Sequence, residues 1–340
     1  LATPTALMAG IGRGASHGIL IRNASTLEMA CKINAVIFDK TGTLTTGKPV
    51  VTYSQWFNEN DQNKQVLFSI EKRSGHPLAY AIAALVDGYP LLELQNFTDI
   101  PGKGVKATYS GHQYTVGNLA LMNENNIEVP ENLKDGNFIF FAGENTLIAV
   151  FSVEDTLRES SPEAIRKLKA DGIEVFMLTG DKKETAANMA STAGIDHYFA
   201  EVMPADKNHF VKELRQKGYN VAMVGDGIND SAAMAEADLG IAMASGSDIA
   251  IDSAGVILMQ GDLNAVAQAI RLSKATVKII RQNFFWAFFY NVIAIPVAAG
   301  VLYPAAGFLL SPMIAGAAMA MSSVTVVMNS LRLKRISIQG

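Results

Sequence analysis

Three times along this chain a short unbroken apolar run stops at an aspartate with glycine nearby, and a helical pattern follows. The first run, "AVIFDKTGTLT", ends on Asp39. The second, "EVFMLTGDKKETA", ends on Thr179, Gly180 and Asp181, and the third, "NVAMVGDGINDSAAM", on Gly225, Asp226, Gly227, Asn229 and Asp230. Apolar runs without alternation read as strands buried on both faces, which is the habit of parallel sheets covered by helices. Strands alternating with helices predict one parallel sheet, and such a sheet gathers all three carboxyl ends along one edge. Open α/β sheets place their chemistry at that edge.

A competing reading of the first segment fails on physical grounds. Gly42 to Lys48 matches most of a G-x-x-x-x-G-K phosphate loop. That loop needs a Ser or Thr after the lysine and a helix starting there, so that backbone amides face the anion. Pro49 and the β-branched, aromatic run "VVTYSQWF" follow instead, which predicts a strand.

The strand ends carry the groups that phosphoryl transfer to a carboxylate requires. A carboxylate can attack a γ-phosphoryl group only if cations and donors offset the repulsion between the two anions. Asp39 and Asp226 are suited to share Mg²⁺, a hard ion that takes oxygen ligands. Lys207, near the start of a helix in "MPADKNHFVKEL", and the Thr179 hydroxyl are suited to the equatorial phosphoryl oxygens. One aspartate beside glycine would be a turn former, but three such sites at strand ends argue against that reading.

The bulk numbers set the remaining limits. With 340 residues there is room for two or three domains, and a net charge of -4 gives no reason to expect nucleic acid binding. The single cysteine, Cys31, excludes an internal disulfide framework and reads as a small buried side chain. Residues 284–330 contain no Asp, Glu, Lys or Arg, enough for two membrane-spanning helices, 281–303 and 307–330, joined through "YPAAG". Basic residues flank both outer ends, Arg271, Lys274, Lys278 and Arg281 before and Arg332, Lys334 and Arg335 after, which predicts a hairpin with both ends and the catalytic bulk on the cytoplasmic side. "LATPTALMAGIGRGASHGILI" begins without Met, lacks the marks of a signal peptide and reads as the back half of an apolar helix, so a longer parent chain is expected.

"DKTGTLT", "TGD" and "GDGINDSAAMAEADLGIAM" resemble the phosphorylation motifs of P-type ATPases, members of the haloacid dehalogenase-like superfamily. The resemblance implies an α/β fold: a parallel-sheet phosphorylation domain (34–48 and 152–280) with an inserted α+β nucleotide-binding domain (49–151) and C-terminal transmembrane helices. Residues 1–33 would be the end of a transmembrane helix and a linker, and 331–340 a cytoplasmic tail. It implies that Asp39 is phosphorylated by ATP, that Mg²⁺ lies between Asp39, the Thr41 carbonyl and Asp226, and that Asn229 and Asp230 support the site. Lys40, Thr179, Gly180, Asp181 and Lys207 complete the catalytic set. A soluble phosphatase of the same superfamily is the main alternative. Such enzymes usually carry a second aspartate two residues after the nucleophile, where this chain has Thr41, and losing that acid should lengthen the life of an aspartyl phosphate. A non-catalytic membrane scaffold is the third reading.

In the inserted region "EKRSGHPLA" lies within one expected helical stretch, "NKQVLFSIEKRSGHPLAYAIAALV". A His before Pro is by itself a turn residue. The segment is nevertheless similar to the nucleotide signature of heavy-metal P-type ATPases, which implies that Glu71, His76 and Pro77 meet the adenine, with Gly75 where the family has an acidic residue. "GKGV" and "VGN" then imply further ATP contacts at Gly102, Gly104, Gly117 and Asn118.

In the charge-free segment Tyr290 and Asn291 lie mid-helix, Pro296 frees a carbonyl, and Met319 and Ser323 are four apart on one face. Neutral ligands favour a monovalent soft ion over an uncompensated divalent one. The alternative is that "AGAAMAMSS" is only a helix-packing surface. Asn283, Tyr290-Asn291 and Pro296, with Met319 and Ser322-Ser323, resemble the last two spans of copper(I)-transporting ATPases. This implies Cu(I), or Ag(I), at Tyr290, Asn291, Met319 and Ser323, with delivery by a cytosolic metallochaperone and location as a multi-pass protein of an inner or plasma membrane. Another transition metal is the alternative. A Cys-Pro-Cys pair is expected just before Leu1, and an actuator domain further upstream.

Overall fold

The computed structural model describes residues 2–134, 136–244, 246–299, 301 and 311–338. The chain begins with α1 (Ala2–Ala15), β1 (Ile19–Ile21), α2 (Ala24–Ala30) and β2 (Ala35–Asp39). It continues through β3 (Thr45–Trp56), α3 (Asp61–Arg73), α4 (Pro77–Leu85), β4 (Gln95–Ile100), β5 (Gly104–Tyr109), β6 (His112–Gly117), α5 (Leu119–Glu124), β7 (Phe138–Gly143) and β8 (Thr146–Leu157). Then follow α6 (Ser161–Ala170), β9 (Glu174–Leu178), α7 (Lys183–Ala193), β10 (His197–Phe199), α8 (Lys207–Gln216) and β11 (Val221–Gly225). The last elements are α9 (Ser231–Glu236), β12 (Leu239–Met243), α10 (Asp248–Ser253), β13 (Val256–Leu258), α11 (Asn264–Ala298) and α12 (Pro312–Leu331).

These elements form two units, residues 1–44 with 157–340, and residues 45–156. The first holds a seven-stranded sheet in the order β1-β13-β12-β11-β2-β9-β10, parallel except for β1 against β13. β2 is buried at every residue because both faces are covered. Val36 and Phe38 join the core of Leu27, Ile165 and Leu168 on one face. Ala35 and Ile37 join Val211, Leu214 and Met234 on the other. Phe38 is fully buried, worth about 2–3 kcal/mol relative to exposure, so a one-residue slip of register would be costly. The register pairs Asp39 with Leu178 and Phe38 with Val224, which brings the ends of β2, β9 and β11 to the same edge.

The second unit is a six-stranded sheet, β3-β8-β7-β6-β5-β4, with its own core around Leu67, Ile70, Val116, Phe141 and Phe151. Pro49 sits inside β3 without breaking the sheet because β3 is an edge strand. The expected single helix of this region is two. Pro77 cannot donate a hydrogen bond and holds His76 extended (φ -78, ψ 137), so α3 ends at Arg73 and α4 starts at Pro77.

At the C-terminal end the expected first span is the outer half of α11, one helix of 35 residues that begins well before residue 281. Its inner half is buried along one face, with Lys274, Lys278 and Arg281 exposed and Arg271 half-buried, and its outer half holds Tyr290, Asn291 and Pro296. Among the described residues no helix is long and apolar enough to cross a membrane. Residues 300 and 302–310, with the expected "YPAAG" turn, lie outside those described. α1, α11 and α12 meet at one buried polar cluster. Asn283 donates to the Ala2 carbonyl (3.1 Å) and to Ser330 Oγ (2.9 Å), and accepts from Asn329 Nδ2 (2.9 Å).

Candidate active site

Asp39 ends β2 and is 6 % exposed. Lys207, the first residue of α8, donates through Nζ to Asp39 Oδ1 and to Asp230 Oδ1 (2.7 Å). The sharp turn after Asp39 is made by Gly42 (φ +72), where a Cβ would lie 1.7 Å from Asp226 Oδ2. Any larger residue there would be strained and would displace that carboxylate. One oxygen each of Asp39, Asp226 and Asp230 fall within 4.8 Å of one another. Asp230, expected as a supporting residue, is therefore as much part of the cluster as the two expected ligands.

Burial, and then the nearby Asp230, push the Asp39 carboxyl up to about 6, while Lys207 pulls it down. Burial and Asp230 also raise Asp226. Burial opposes the Lys207 ammonium, but Asp39 and Asp230 together overcome it and hold its pKa above the usual lysine value. Three carboxylates against one ammonium leave excess negative charge among oxygen donors, a set that fits Mg²⁺.

The other expected residues are arranged around this cluster. Lys40 Nζ meets Asp181 Oδ2 at 2.7 Å. Thr179 is 2 % exposed, and its Oγ1 accepts from the Asp181 amide at 3.1 Å, which shapes the Thr179-Gly180-Asp181 turn. Thr41 has extended backbone (φ -74, ψ 126), and Asn229 is exposed. One group escaped the sequence reading. Arg158 donates from Nη2 to the Gly42 carbonyl (2.7 Å) and from Nε to the Thr43 carbonyl (2.9 Å), fixing the loop behind Asp39. Its only sequence signal was a basic residue in "DTLRES", which charge patterning alone reads as surface.

In the other unit Glu71, His76, Gly102, Gly104, Gly117 and Asn118 all line one pocket of about 260 Å³. Pro77, expected among them, starts α4 instead and does not line it. Gly104 faces Gly117 across β5 and β6, and a Cβ on either would strike backbone oxygen, at 2.1 Å from Val116 O and 2.3 Å from Lys103 O. Only glycines let the two backbones close the pocket wall. Asn118 braces the rim, donating to the Gly102 carbonyl (2.9 Å) and accepting from the Leu121 amide (3.1 Å). Glu71 Oε1 is buried with no hydrogen-bond partner, and burial pushes its carboxyl up to about 8. An orphaned carboxyl beside a glycine-walled, largely apolar slot fits a flat heteroaromatic ligand such as adenine.

The third expected set is divided. Asn291 and Ser323, with Ser322, line a cavity of about 290 Å³ between α1, α11 and α12. Tyr290 and Met319 do not line it, and Met319 is 69 % exposed.

Comparison with known proteins bears on the fold and the family. Residues 33–238 match the haloacid dehalogenase-like hydrolase family. A copper-exporting P-type ATPase of Legionella pneumophila subsp. pneumophila is 48% identical, over 99% of this chain and 47% of the relative. The chain spans about half the length of the curated relatives it matches. Among solved structures, a zinc-transporting PIB-type ATPase in an E2.Pi state superposes with a TM-score of 0.82 at 30% identity, covering 98% of this chain and 55% of that one. The catalytic domain of the CPx-ATPase CopB-B gives 0.64 at 31% identity, over 78% of this chain and 98% of that domain. Shared motifs, shared fold and this level of identity lead to one conclusion: the chain belongs to the haloacid dehalogenase-like hydrolases and, within them, to the heavy-metal P-type ATPases.

Proposed function

We propose that this chain is the ATP-binding and phosphorylated portion of a pump that exports Cu(I), or Ag(I), across a membrane. The observation that carries the reading is the oxygen cluster of buried Asp39 and Asp230 and half-buried Asp226, pinned by Lys207 at the edge of a parallel sheet. In the proposed reaction Asp39 attacks the γ-phosphorus of ATP, an Asp39 O–P bond forms, the bond to the β-phosphate oxygen breaks, and ADP leaves. Lys207 and Thr179 hold the transferring oxygens, and Lys40 and Asp181 steady each other beside them. Asp39 and Asp226, with Asp230 and the Thr41 carbonyl, would hold Mg²⁺, which supplies positive charge against the phosphoryl group when bound. Thr41, which cannot act as a general acid at neutral pH, favours a long-lived aspartyl phosphate over rapid phosphatase turnover.

Glu71, His76, Gly102, Gly104, Gly117 and Asn118 would seat the adenine end of ATP, with Pro77 setting the turn. Copper is favoured by the uncharged segment 284–330, and by the copper-exporting role in the names of relatives at 43% to 48% identity. Tyr290, Asn291, Met319 and Ser323 would bind the ion, supplied from the cytosol by a metallochaperone. Exposed Phe284, Phe285, Phe288, Val292 and Ile295 on α11 and Met313, Val324 and Met328 on α12 support contact of this segment with lipid, as two spans of a multi-pass membrane protein whose catalytic units are cytoplasmic.

The test is acid-stable label from radioactive ATP and Mg²⁺ on the full-length protein in lipid, with Cu(I), with Zn²⁺ and with Asp39→Asn. Label that requires Asp39 and rises with Cu(I) is expected. Label driven by Zn²⁺ would keep the ATPase and overturn the copper assignment, in line with the zinc-transporting structural neighbour. No label with any metal, alongside steady hydrolysis of small phosphomonoesters, would replace the pump with a phosphatase.

A further inference from the structure

Glu71 is the one member of the nucleotide pocket whose role its surroundings do not explain. It lies in the last turn of α3, is 3 % exposed, and its Oε1 is buried without a partner, an arrangement that a fixed negative charge would make very costly. Ala79, Ile82, Val105, Val116 and Ile139 supply the apolar lining around it.

Among the described residues no cation compensates it. On its own helix, Lys72 lies over the Phe68 ring and Arg73 binds the Leu94 carbonyl and the Phe97 ring. From the elements across the pocket come His76, whose Nδ1 accepts from the Leu78 amide, Lys103, paired with Glu124 at 2.5 Å, and the acidic Asp99. Burial is the sole cause of the upward shift to about 8.

We propose that Glu71 meets the nucleotide as a neutral carboxylic acid, and that its proton is what lets it pair with adenine, a match that the ionised form passes to guanine. The inference rests on the reading of this pocket as the nucleotide site. A protonated carboxyl offers one donor and one acceptor side by side. Adenine presents the complementary pair, the N1 acceptor beside the N6 amino donor. Guanine presents the O6 acceptor beside N1–H, which a neutral carboxyl can also match, and two adjacent donors, N1–H and the N2 amino group, which match an ionised carboxylate with its two acceptors. With its proton the side chain can therefore pair with adenine; without it, a second acceptor faces the adenine N1 lone pair and the match passes to guanine. Because the site is buried, the mismatched base leaves a polar atom unpaired, the kind of error that gives strong discrimination.

The test titrates ATP and GTP calorimetrically into the full chain without Mg²⁺, so that no phosphoryl transfer occurs, between about pH 7 and about pH 9. ATP affinity should fall about tenfold across that window, since only about a tenth of Glu71 keeps its proton one unit above its pKa. GTP affinity should not fall with it, so the preference for ATP contracts by about tenfold or more. Near pH 8 the apparent binding enthalpy should change with the ionisation enthalpy of the buffer, reporting uptake of about half a proton. Glu71→Gln keeps one donor and one acceptor, so it should retain ATP binding with no pH dependence. ATP binding by the wild type that is flat with pH and free of proton uptake, while Glu71→Ala still loses ATP, would overturn the proposal and leave the pocket assignment standing. ATP binding untouched by Glu71→Ala would remove the pocket assignment and the proposal together. The wild-type series needs no variant to fold, so the proposal stays testable on its own.

Discussion

Asp39 and Glu71 are both nearly fully buried carboxyls, yet their surroundings could hardly differ more. Asp39 lies between an ammonium and two further carboxylates, and these opposing charges bring it only to about 6. Glu71 Oε1 has apolar walls and, among the described residues, no partner, and the carboxyl goes to about 8. The first setting keeps an anion charged and ready to attack. The second keeps an acid neutral and ready to pair with a base edge. Burial alone does not decide what a carboxyl does; the charge placed beside it does.

The largest break in this comparison comes from removing the ammonium. Lys207→Met leaves Asp39 and Asp230 buried side by side without compensation, in effect making the first site resemble the second with one charge too many. Truncating one partner of such a buried network costs about 3–5 kcal/mol, which urea unfolding at neutral pH should show. Phosphorylation of Asp39 should fall by more than about a hundredfold, because a cation on the transferring oxygens is lost as well.

The next effect isolates Glu71. Its folded pKa lies above the unfolded value, so the folded state holds more protons between about 4.5 and about 8. Its contribution to stability is therefore complete below about pH 4.5, declines as pH rises, and is lost by about pH 8, a change on the order of 5 kcal/mol. Glu71→Gln should remove that slope from the pH dependence of unfolding and leave a more stable protein at alkaline pH. An identical slope in both proteins would mean that Glu71 is solvated in solution.

Asn283 sharpens the comparison with a third case, a buried polar group that is neutral and fully paired. It joins Ala2, Asn329 and Ser330, so no charge is at stake and nothing is left unmet. Asn283→Ala removes the Asn283 partner of the Asn329 amide, which keeps Gln282 Oε1 at 3.3 Å, of Ser330 and of the Ala2 carbonyl, and should cost about 1–3 kcal/mol in thermal unfolding without changing ATP affinity.

What the sequence made legible follows the same division. Apolar runs ending on Asp39, Asp181 and Asp226 announced the sheet, since unbroken hydrophobic strands have few other ways to be buried. The grouping of Glu71, Gly102, Gly104, Gly117 and Asn118 in one pocket was reachable only through family resemblance, because glycine spacing alone does not say which turns meet. Arg158 was invisible, since its role is to bind backbone carbonyls of residues more than a hundred positions earlier in the chain, and no local pattern encodes that. The α3–α4 break was written in Pro77 but masked by the continuous apolar periodicity on either side of it. Helix α11 was divided at residue 281 because charge changes there, whereas backbone hydrogen bonding continues through the change.

The smallest effect tests whether His76 belongs with Glu71 as a ligand-facing group or only with the fold. Its Nδ1 accepts from the Leu78 amide at 3.2 Å, the position a helix cap occupies, while the ring lines the pocket. An Nδ1 that accepts leaves the proton on Nε2, which makes the free edge of the ring a donor. Loss of the cap in His76→Ala should cost about 0.5–1 kcal/mol, and His76→Asn, whose side-chain oxygen can cap the same turn, should recover most of it. If the ring serves only the fold, ATP affinity recovers together with stability in His76→Asn. If the Nε2 donor also meets the nucleotide, stability returns and ATP affinity does not. That separation in calorimetry and thermal unfolding would put His76 beside Glu71 as a second donor in the pocket, one whose proton is fixed by a backbone hydrogen bond rather than by burial.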